Sequence, residues 1–312
     1  MIPLFGVDRQ TARLRPAIER RIAEVLDSAA FVNGPAVGSF EARFAAAAGA
    51  REAVGVSSGR DALLIALATA GVGPGDAVFV PAFTFTATAE VVAARGAVPV
   101  FVDVDPETAN MDARALAAAV ARVRAAGRLR PRAVIPVDLF GLPADHPAIA
   151  AVAEDPSAPL AVVADAAQSF GGALHGRPVG ALAPVSAFSF YPTKPLGAAG
   201  DGGALTTDDP ALAARWRSIR NCGRGPDGLQ HERDGPTARL DALQAAVLLA
   251  KLDACEEEAE RRRVIGARYS EALSDVADTP RAPPGRRSAW ALYTIRTPDR
   301  DRALAALAEA GV

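Results

Sequence analysis

Two lysines, Lys194 and Lys251, carry the only side-chain amines of this sequence, because every other one of its 34 basic residues is an arginine. A guanidinium is never deprotonated in a protein, whereas an amine can lose its proton and attack a carbonyl. Lys194 follows the apolar run 185–190 and precedes the glycine-rich stretch 197–203. This pattern predicts a lysine that forms a Schiff base with a cofactor aldehyde; a surface lysine on a turn is the alternative.

A carboxylate comes directly after another apolar run. Asp165 follows residues 160–164, and Gln168 lies three positions further on. At the carboxyl end of a parallel strand, Asp165 would face the ligand crevice and keep a pyridine nitrogen protonated, since an opposite charge favours the charged form. A helix cap or another structural role for Asp165 fits equally well. Gln168 could contact the substituents of the same ring or simply begin a helix.

A phosphate site is expected where Ser57-Ser58-Gly59-Arg60-Asp61 precedes an apolar helix. The free N–H groups and the dipole of a helix start attract anions. Ser58 with Asp61 also fits a capping box in its aspartate variant, so plain capping is the alternative. Ser189, at the end of the strand before Lys194, is a candidate for a further hydrogen bond to the same phosphate.

The segment 81–88 places two aromatic side chains, Phe83 and Phe85, at the start of a helix after a strand. Either one could cover a face of a flat heterocycle, and the periodicity does not distinguish them. The three histidines lack metal-ligand spacing, so no metal site is expected. Lys251 is interpreted as a solvated lysine on a helix.

Composition excludes several classes of function. The formal net charge of −2 gives no indication of nucleic acid or of an anionic membrane as a partner. Two cysteines without a pattern favour a reducing cytoplasm over a disulfide framework. Neither a signal peptide nor an apolar stretch long enough to span a bilayer is expected.

Strand-like and helix-like runs alternate, which predicts an α/β fold with a mostly parallel central sheet and helices on both faces. The expected strands are 77–80, 98–102, 133–137, 160–164, 185–190, 203–206 and 289–296; the expected helices are 84–94, 112–126, 145–153, 210–220, 240–263 and 300–310.

A change in character near residue 255 predicts two domains. Residues 1–255 would form a large cofactor-binding domain, and residues 256–312 would begin a small C-terminal α+β domain. One strand and one helix are too little for a stable domain. Because the sequence stops after the helix-capping Gly311, this second domain is expected to be incomplete.

Taken together, several stretches resemble the sugar-nucleotide aminotransferases of the DegT/StrS type, which are fold-type I enzymes that depend on pyridoxal 5′-phosphate. The similarity runs in order over essentially the whole chain. The stretches that carry it are Asn33-Gly34-Pro35, 101–106, 136–141, Asp165-Ala166-Ala167-Gln168, 188–194, 200–204 and 239–246.

The resemblance implies roles for individual residues. Lys194 would hold the cofactor covalently and later move the proton, and Asp165 would pair with the pyridinium nitrogen. The resemblance selects Phe85 to stack on the ring. The other implied cofactor contacts are Gln168 to the ring substituents and Ser58, Gly59, Arg60, Ser189 and Thr237 around the phosphate. Arg239 and Tyr191 would contact the substrate, with Arg239 reaching the neighbouring subunit's site, so a homodimer with shared active sites is expected.

The same resemblance implies glutamate as the amino donor and a keto sugar nucleotide as the acceptor. The stretches 196–203 and 288–296 are similar to enzymes that aminate UDP-2-acetamido-3-keto-hexuronic acid for bacterial surface polysaccharides. The alternatives are a 4-keto sugar linked to dTDP or GDP, or a non-catalytic regulatory homologue that binds the cofactor. A dehydratase on the same scaffold is disfavoured, because its relatives have histidine in place of the lysine.

Three departures from the family pattern stand out. Arg60 occupies a position where threonine is usual, and Thr237 one where asparagine usually reaches the partner's phosphate. The C-terminal segment with a His-Tyr-Pro motif near the sugar is not in this sequence. These departures put phosphate and substrate binding in question.

Overall fold

The computed structural model describes residues 2–156, 159–225 and 227–312. Within these ranges the central sheet comprises seven strands in the order β1-β9-β8-β5-β4-β2-β3. Its strands are β1 Glu52–Val56, β2 Asp76–Pro81, β3 Val98–Val102, β4 Arg130–Val134, β5 Ala161–Asp165, β8 Val185–Ser189 and β9 Gly203–Thr207. A smaller sheet, in the order β10-β6-β7, contains β6 Ala173–Leu174, β7 Arg177–Pro178 and β10 Arg286–Arg287.

The pairing of the central strands is mostly parallel, as the sequence predicted. β2 with β3, β2 with β4, β4 with β5 and β5 with β8 are parallel pairs. β9 runs antiparallel to both β8 and β1. One α-helix each connects β2 to β3, β3 to β4 and β4 to β5, and β5 leads to β8 through β6 and β7. The carboxyl ends of the parallel strands meet at one edge of the sheet.

Helices cover both faces of this sheet. They are α1 Val7–Ser28, α2 Pro35–Ala48, α3 Gly59–Thr69, α4 Ala87–Ala94, α5 Ala113–Ala126, α6 His146–Ala153, α7 Pro210–Ile219, α8 Ala242–Leu252, α9 Cys255–Leu273 and α10 Arg300–Glu309. One apolar cluster packs α3, α4 and α7 against the sheet, and a second packs α2 and α8 against its opposite side. None of the described helices meets the length and hydropathy needed to cross a bilayer.

A buried ion pair fixes the packing of α2 beside β1. The Glu41 carboxylate accepts a hydrogen bond from the Gly55 N–H at 2.9 Å and pairs with the Arg220 guanidinium. Arg220 also donates to the Gly55 carbonyl at 2.5 Å. Both charged residues are 7% exposed. Their charges are thus compensated by each other and by one backbone unit, as buried charges require.

Three sequence predictions about the C-terminal half and strand β4 are corrected. The single helix expected over 240–263 is two helices, because the chain bends between Leu252 and Cys255. The strand expected over 289–296 is absent from the described structure, where Trp290 has φ +50°, which extended backbone excludes. Strand β4 lies three residues earlier than predicted. The bend falls at the predicted boundary between residues 1–255 and 256–312, and that boundary stays a prediction.

Candidate active site

Lys194 stands on a tight turn directly after strand β8. The turn is closed by hydrogen bonds from the Lys194 N–H to the Tyr191 carbonyl at 2.9 Å and from the Ala198 N–H to the Phe190 carbonyl at 2.7 Å. A Cβ at Gly197 would lie 2.4 Å from the Pro192 carbonyl oxygen, so this close approach requires glycine. Burial lowers the pKa of the Lys194 amine, although the charge of Asp165 partly opposes this. Burial therefore shifts this amine towards its neutral, nucleophilic form.

Asp165 ends strand β5 and is 8% exposed. Its Oδ1 accepts a hydrogen bond from the Ala167 N–H at 3.1 Å, and its Oδ2 accepts one from the Thr88 hydroxyl at 3.2 Å. Burial raises the pKa of Asp165, and these two donors and the charge of Lys194 act against the rise. A positive charge placed beside this carboxylate would therefore be strongly stabilised.

A second buried carboxylate, Asp138, lies behind Asp165. Its N–H donates to the Asp165 carbonyl at 3.0 Å, and its carboxylate accepts hydrogen bonds from the Ser169 hydroxyl and the Ala144 N–H, both at 2.8 Å. The His146 Nε2 lies 2.8 Å from the same carboxylate. These contacts hold the loop after β4 and the turn after Asp165 together. Sequence reasoning missed this role, although Asp138 also follows an apolar strand, which was the available signal.

Gln168 is fixed by the backbone of a neighbouring loop. Its Oε1 accepts a hydrogen bond from the Phe140 N–H at 2.6 Å. Phe140 has φ +59°, in the left-handed region. With Oε1 occupied in this way, the Nε2 donors of Gln168 are the part of the side chain that can act on a ligand.

The predicted capping box at Ser58 is present in altered form. The Ser58 hydroxyl accepts a hydrogen bond from the Asp61 N–H at 3.0 Å, and the Asp61 carboxylate accepts from the hydroxyls of Ser57 and Ser58 at 2.5 and 2.9 Å. Both serine hydroxyls are thus engaged within the cap. Among the described residues, no acceptor lies within hydrogen-bond distance of the N–H groups of Gly59 and Arg60. These two backbone groups can bind an anion.

Ser189 lies directly against this helix start. A Cβ at Gly59 would be 2.7 Å from the Ser189 Cβ, so the absence of a side chain at Gly59 lets the two segments meet. The Ser189 hydroxyl accepts from the Tyr191 N–H at 3.3 Å and keeps its own proton for another acceptor. The side chain of Arg60 points to α4, where its Nε lies 3.8 Å from the Glu90 carboxylate. The backbone of Arg60 is accordingly better placed for a phosphate than its side chain.

The two aromatic candidates differ in their surroundings. Phe83 packs edge-on against Phe140, with ring centroids 6.1 Å apart. Phe85 is 73% exposed and makes no ring contact among the described residues. Tyr191 is also exposed, at 53%. Phe85 is therefore the more accessible of the two candidates, but Phe83 is also 54% exposed and, like Tyr191, is available to a ligand.

Thr237 and Arg239 lie on the segment before α8. The Thr237 hydroxyl is 3.1 Å from the Cys222 sulfur, and the Arg239 Nη1 donates to the Asn221 side chain at 2.8 Å. Among the described residues neither makes a hydrogen bond or ion pair with Lys194 or Asp165. The single chain thus brings together the residues around Lys194, Asp165 and Gly59, and leaves Thr237 and Arg239 outside that group.

The assembled groups fit pyridoxal 5′-phosphate. Lys194 offers an amine of lowered pKa for the aldehyde, and Asp165 offers a buried carboxylate for the ring nitrogen. The free N–H groups of Gly59 and Arg60, with the Ser189 hydroxyl, form a donor set for the phosphate. The aldehyde, the ring nitrogen and the phosphate of the cofactor thus each have a matching group in this site.

Comparison with known proteins agrees with this interpretation of the site. The sequence profile of the DegT/DnrJ/EryC1/StrS aminotransferase family matches residues 13–312. A pleiotropic regulatory protein of Geobacillus stearothermophilus is 42% identical over 100% of this chain and 82% of its own length. The UDP-2-acetamido-2-deoxy-3-oxo-D-glucuronate aminotransferase of Pseudomonas aeruginosa is 42% identical over 100% and 84%. The dTDP-3-amino-3,4,6-trideoxy-alpha-D-glucose transaminase of Streptomyces venezuelae is 40% identical over 96% and 77%.

Solved structures agree with these relatives. An aminotransferase of this family from Brucella abortus is 46% identical and superposes with a TM-score of 0.97, covering 100% of this chain and 83% of that one. NtdA from Bacillus subtilis, with bound cofactor PMP, is 28% identical with a TM-score of 0.84, covering 97% and 68%.

Proposed function

The chain belongs to the DegT/DnrJ/EryC1/StrS aminotransferase family, a family of sugar aminotransferases that depend on pyridoxal 5′-phosphate, and from this premise we propose that it transfers an amino group from glutamate to a keto sugar nucleotide. The observation that carries the proposal is the electrostatic coupling of a partly buried amine, Lys194, to a buried carboxylate, Asp165, at the carboxyl edge of the sheet.

The residues of the chain have separate tasks in this reaction. When bound, pyridoxal 5′-phosphate withdraws electrons from the substrate carbon that bears the amino group, so that this carbon can lose a proton. The Lys194 Nζ holds the cofactor aldehyde and, once displaced by the donor, accepts and returns that proton. The Asp165 carboxylate keeps the ring nitrogen protonated, and the N–H groups of Gly59 and Arg60 bind the phosphate. Phe85 and Gln168 position the ring.

The acceptor is a UDP-linked 3-keto sugar in this proposal, made for bacterial surface polysaccharide. The support is twofold: the similarity of residues 288–296 to such enzymes, and the names of the two aminotransferase relatives above, which both specify amination at carbon 3 of the sugar. Because one of these relatives is named for a dTDP-linked sugar, dTDP is the alternative nucleotide. A 4-keto sugar is the alternative acceptor.

A homodimer completes the proposed site. Within their own chain Thr237 contacts Cys222 and Arg239 contacts Asn221, and in this proposal the segment that carries them reaches a second copy. The cofactor and the substrate would then contact residues of both subunits, with Thr237 near the partner's phosphate and Arg239 near its substrate.

The test has two steps on the purified holo-protein. Glutamate alone should bleach the visible absorption of the bound cofactor and yield 2-oxoglutarate. UDP-, dTDP- and GDP-linked 3-keto and 4-keto sugars are then supplied separately, and mass spectrometry identifies the aminated product. Conversion of the UDP-linked 3-keto sugar in preference to the others is expected. Preferred conversion of a 4-keto sugar would overturn the narrower assignment.

A regulatory protein that binds the cofactor without turnover is the second candidate. It is favoured by the presence of Arg60 where threonine is usual and of Thr237 where asparagine is usual. The 42% identity to a relative described as a pleiotropic regulatory protein also favours it. Under this alternative the holo-protein would be coloured, but glutamate would cause neither bleaching nor release of 2-oxoglutarate.

A further inference from the structure

A cavity of about 560 Å³ opens beside the Lys194 turn, on the side that faces α1 and α9. Its wall comes from three separate parts of the chain: residues 4–13, the turn at 192–194, and α9 with Trp290 and Ala291. This volume lies within the range of small-molecule sites in proteins. None of Asp165, Gln168, Ser58 or Gly59 lines it, so it is distinct from the site of the cofactor ring and phosphate.

The lining of this cavity is strongly cationic. Arg9, Arg13, Arg261, Arg262 and Lys194 line it, and Glu258 is the one acidic side chain among the lining residues. No carboxylate elsewhere on the lining offsets this excess. A cavity that carries several guanidinium groups attracts oxyanions, because guanidinium binds carboxylate and phosphate with paired hydrogen bonds.

The ion pairs around the cavity leave part of this charge uncompensated. Glu258 lies 2.5 Å from Arg13 and 3.7 Å from Arg262, and Glu257 lies 2.6 Å from Arg261 and 3.3 Å from Arg13. Two carboxylates therefore serve three guanidinium groups. Arg9 forms no ion pair within the described part of the chain. The excess positive charge is available to a ligand.

One of these cations touches the catalytic turn. The Arg262 Nη2 donates a hydrogen bond to the carbonyl of Pro195, the residue after Lys194, at 3.2 Å. Burial lowers the pKa of Arg262, and the charge of Glu258 acts against this. An anion held here would lie next to the reactive amine.

We propose that this cavity is an anion subsite, which holds an anionic group of a substrate while the reacting carbon lies at Lys194. The inference rests on the proposed function, because both of its substrates carry such a group. The acceptor has a diphosphate, and the glutamate donor has a carboxylate beyond its reacting end. Arg9 is the residue assigned to bind the anion directly.

The experiment measures binding without turnover. Inorganic pyrophosphate and glutarate are titrated separately by calorimetry into the holo-protein at low ionic strength. Arg9→Gln should weaken binding of at least one probe by about fivefold, since one charge is lost at close range. Arg9→Lys, which keeps the charge, should restore most of it. The matched control is Arg20→Gln, an exposed arginine further along α1 that does not line the cavity; it should stay within about twofold of the parent.

The two probes distinguish the source of the anion. Binding of pyrophosphate that depends on Arg9 assigns the subsite to the diphosphate of the acceptor, and the same result with glutarate assigns it to the donor. Failure of both probes to bind, or equal effects of Arg9→Gln and Arg20→Gln, would overturn the inference. Because binding is read without catalysis, an Arg9-dependent affinity in a protein that aminates no sugar would reject the proposed function and leave the subsite standing.

Discussion

The Thr88 hydroxyl donates a hydrogen bond to the Asp165 carboxylate, with 3.2 Å between Oγ1 and Oδ2, although the two residues are 77 positions apart in the chain. Thr88 lies on α4 and is fully buried. Its hydroxyl is also 3.2 Å from that of Thr84, four residues earlier and before the start of α4. The ionised form of Asp165 therefore depends on a helix that follows a different strand of the sheet.

Thr88→Val is expected to lower turnover by about tenfold, because a hydrogen bond to a buried charged group contributes about 1.5–3 kcal/mol. Its loss removes a contact that lowers the pKa of Asp165, so the acidic limb of the pH–rate profile should move to higher pH. Steady-state rates across the pH range check this. Thr88→Ser, which keeps the hydroxyl, is the matched control, and an equal loss with serine would contradict the assigned contact.

Asp165→Asn should make the cofactor-free protein more stable near neutral pH. Burial raises the pKa of Asp165 in the folded state, so the stability that its neutral form contributes is complete below the unfolded pKa and is lost as pH rises through the folded pKa. The expected gain is about 1.4 kcal/mol for each unit by which folding raises the pKa. Urea unfolding at neutral and acidic pH measures it. A variant less stable than the parent at neutral pH would show that the carboxylate does not destabilise the fold.

The Lys194 amine should react with acetic anhydride at a pH below the ordinary lysine value of 10.5. In the cofactor-free chain, peptide mass spectrometry can follow Lys194 and Lys251 in one sample. Asp165→Asn removes a charge that raises the Lys194 pKa, so the half-maximal rate at Lys194 should move to still lower pH. Lys251 was expected to be solvated, but it is only 3% exposed on α8, and burial lowers its pKa while the charge of Glu258 acts against this. Its profile should stay unchanged. A shift of Lys194 to higher pH in this variant would contradict the electrostatic coupling.

Lys194→Ala should reduce transamination by at least about 10²–10⁴-fold, the usual contribution of a positioned acid–base group. Borohydride reduction of the parent holo-protein, followed by peptide mapping, should find the reduced cofactor adduct on Lys194. Label on Lys251, or native turnover by Lys194→Ala, would refute the assignment of the catalytic amine.

Arg220→Met should destabilise the fold by about 3 kcal/mol, the lower end of the usual cost of breaking a buried ion pair, because the Glu41 carboxylate keeps the more distant Arg217, whose Nε is 3.7 Å away. Arg43→Met removes an arginine from the same region whose pair with Asp253 is solvent-exposed, with side chains 43% and 56% accessible. That control should change stability by less than about 1 kcal/mol. Chemical denaturation of the two variants provides the comparison, and equal effects would mean that the buried pair contributes no more than the surface pair.

The sequence predicted the features that depend on neighbouring residues. The mostly parallel sheet and its helical layers are confirmed, as are the approximate positions of most strands. Asp165 does end a strand, and Ser58 does cap a helix, because both features follow from local apolar runs and local hydrogen bonds. The enzyme class is also confirmed, because its signals are short contiguous motifs.

The sequence predictions missed, or gave wrongly, the features that depend on contacts between distant residues. The support of Asp165 by Thr88 and Asp138 joins segments far apart in the chain. Thr88 has no distinctive local pattern, and the position of Asp138 after an apolar run does not show which segment it contacts. The bend between α8 and α9 occurs without glycine or proline. It separates a helix buried on nearly every face from one that runs largely along the surface. At 289–296, Trp290 packs against Gly266 on α9, a contact between distant segments that no local sequence pattern shows.

The closed turn around Lys194 determines how the reactive amine can move. Its main chain is tied within the turn by the Tyr191 and Phe190 carbonyls and from outside by Arg262. A loop held in this way has little freedom to swing as a whole. The amine must therefore move between the cofactor and the substrate carbon by rotation about the bonds of its own side chain. Its reach is limited to the length of that side chain.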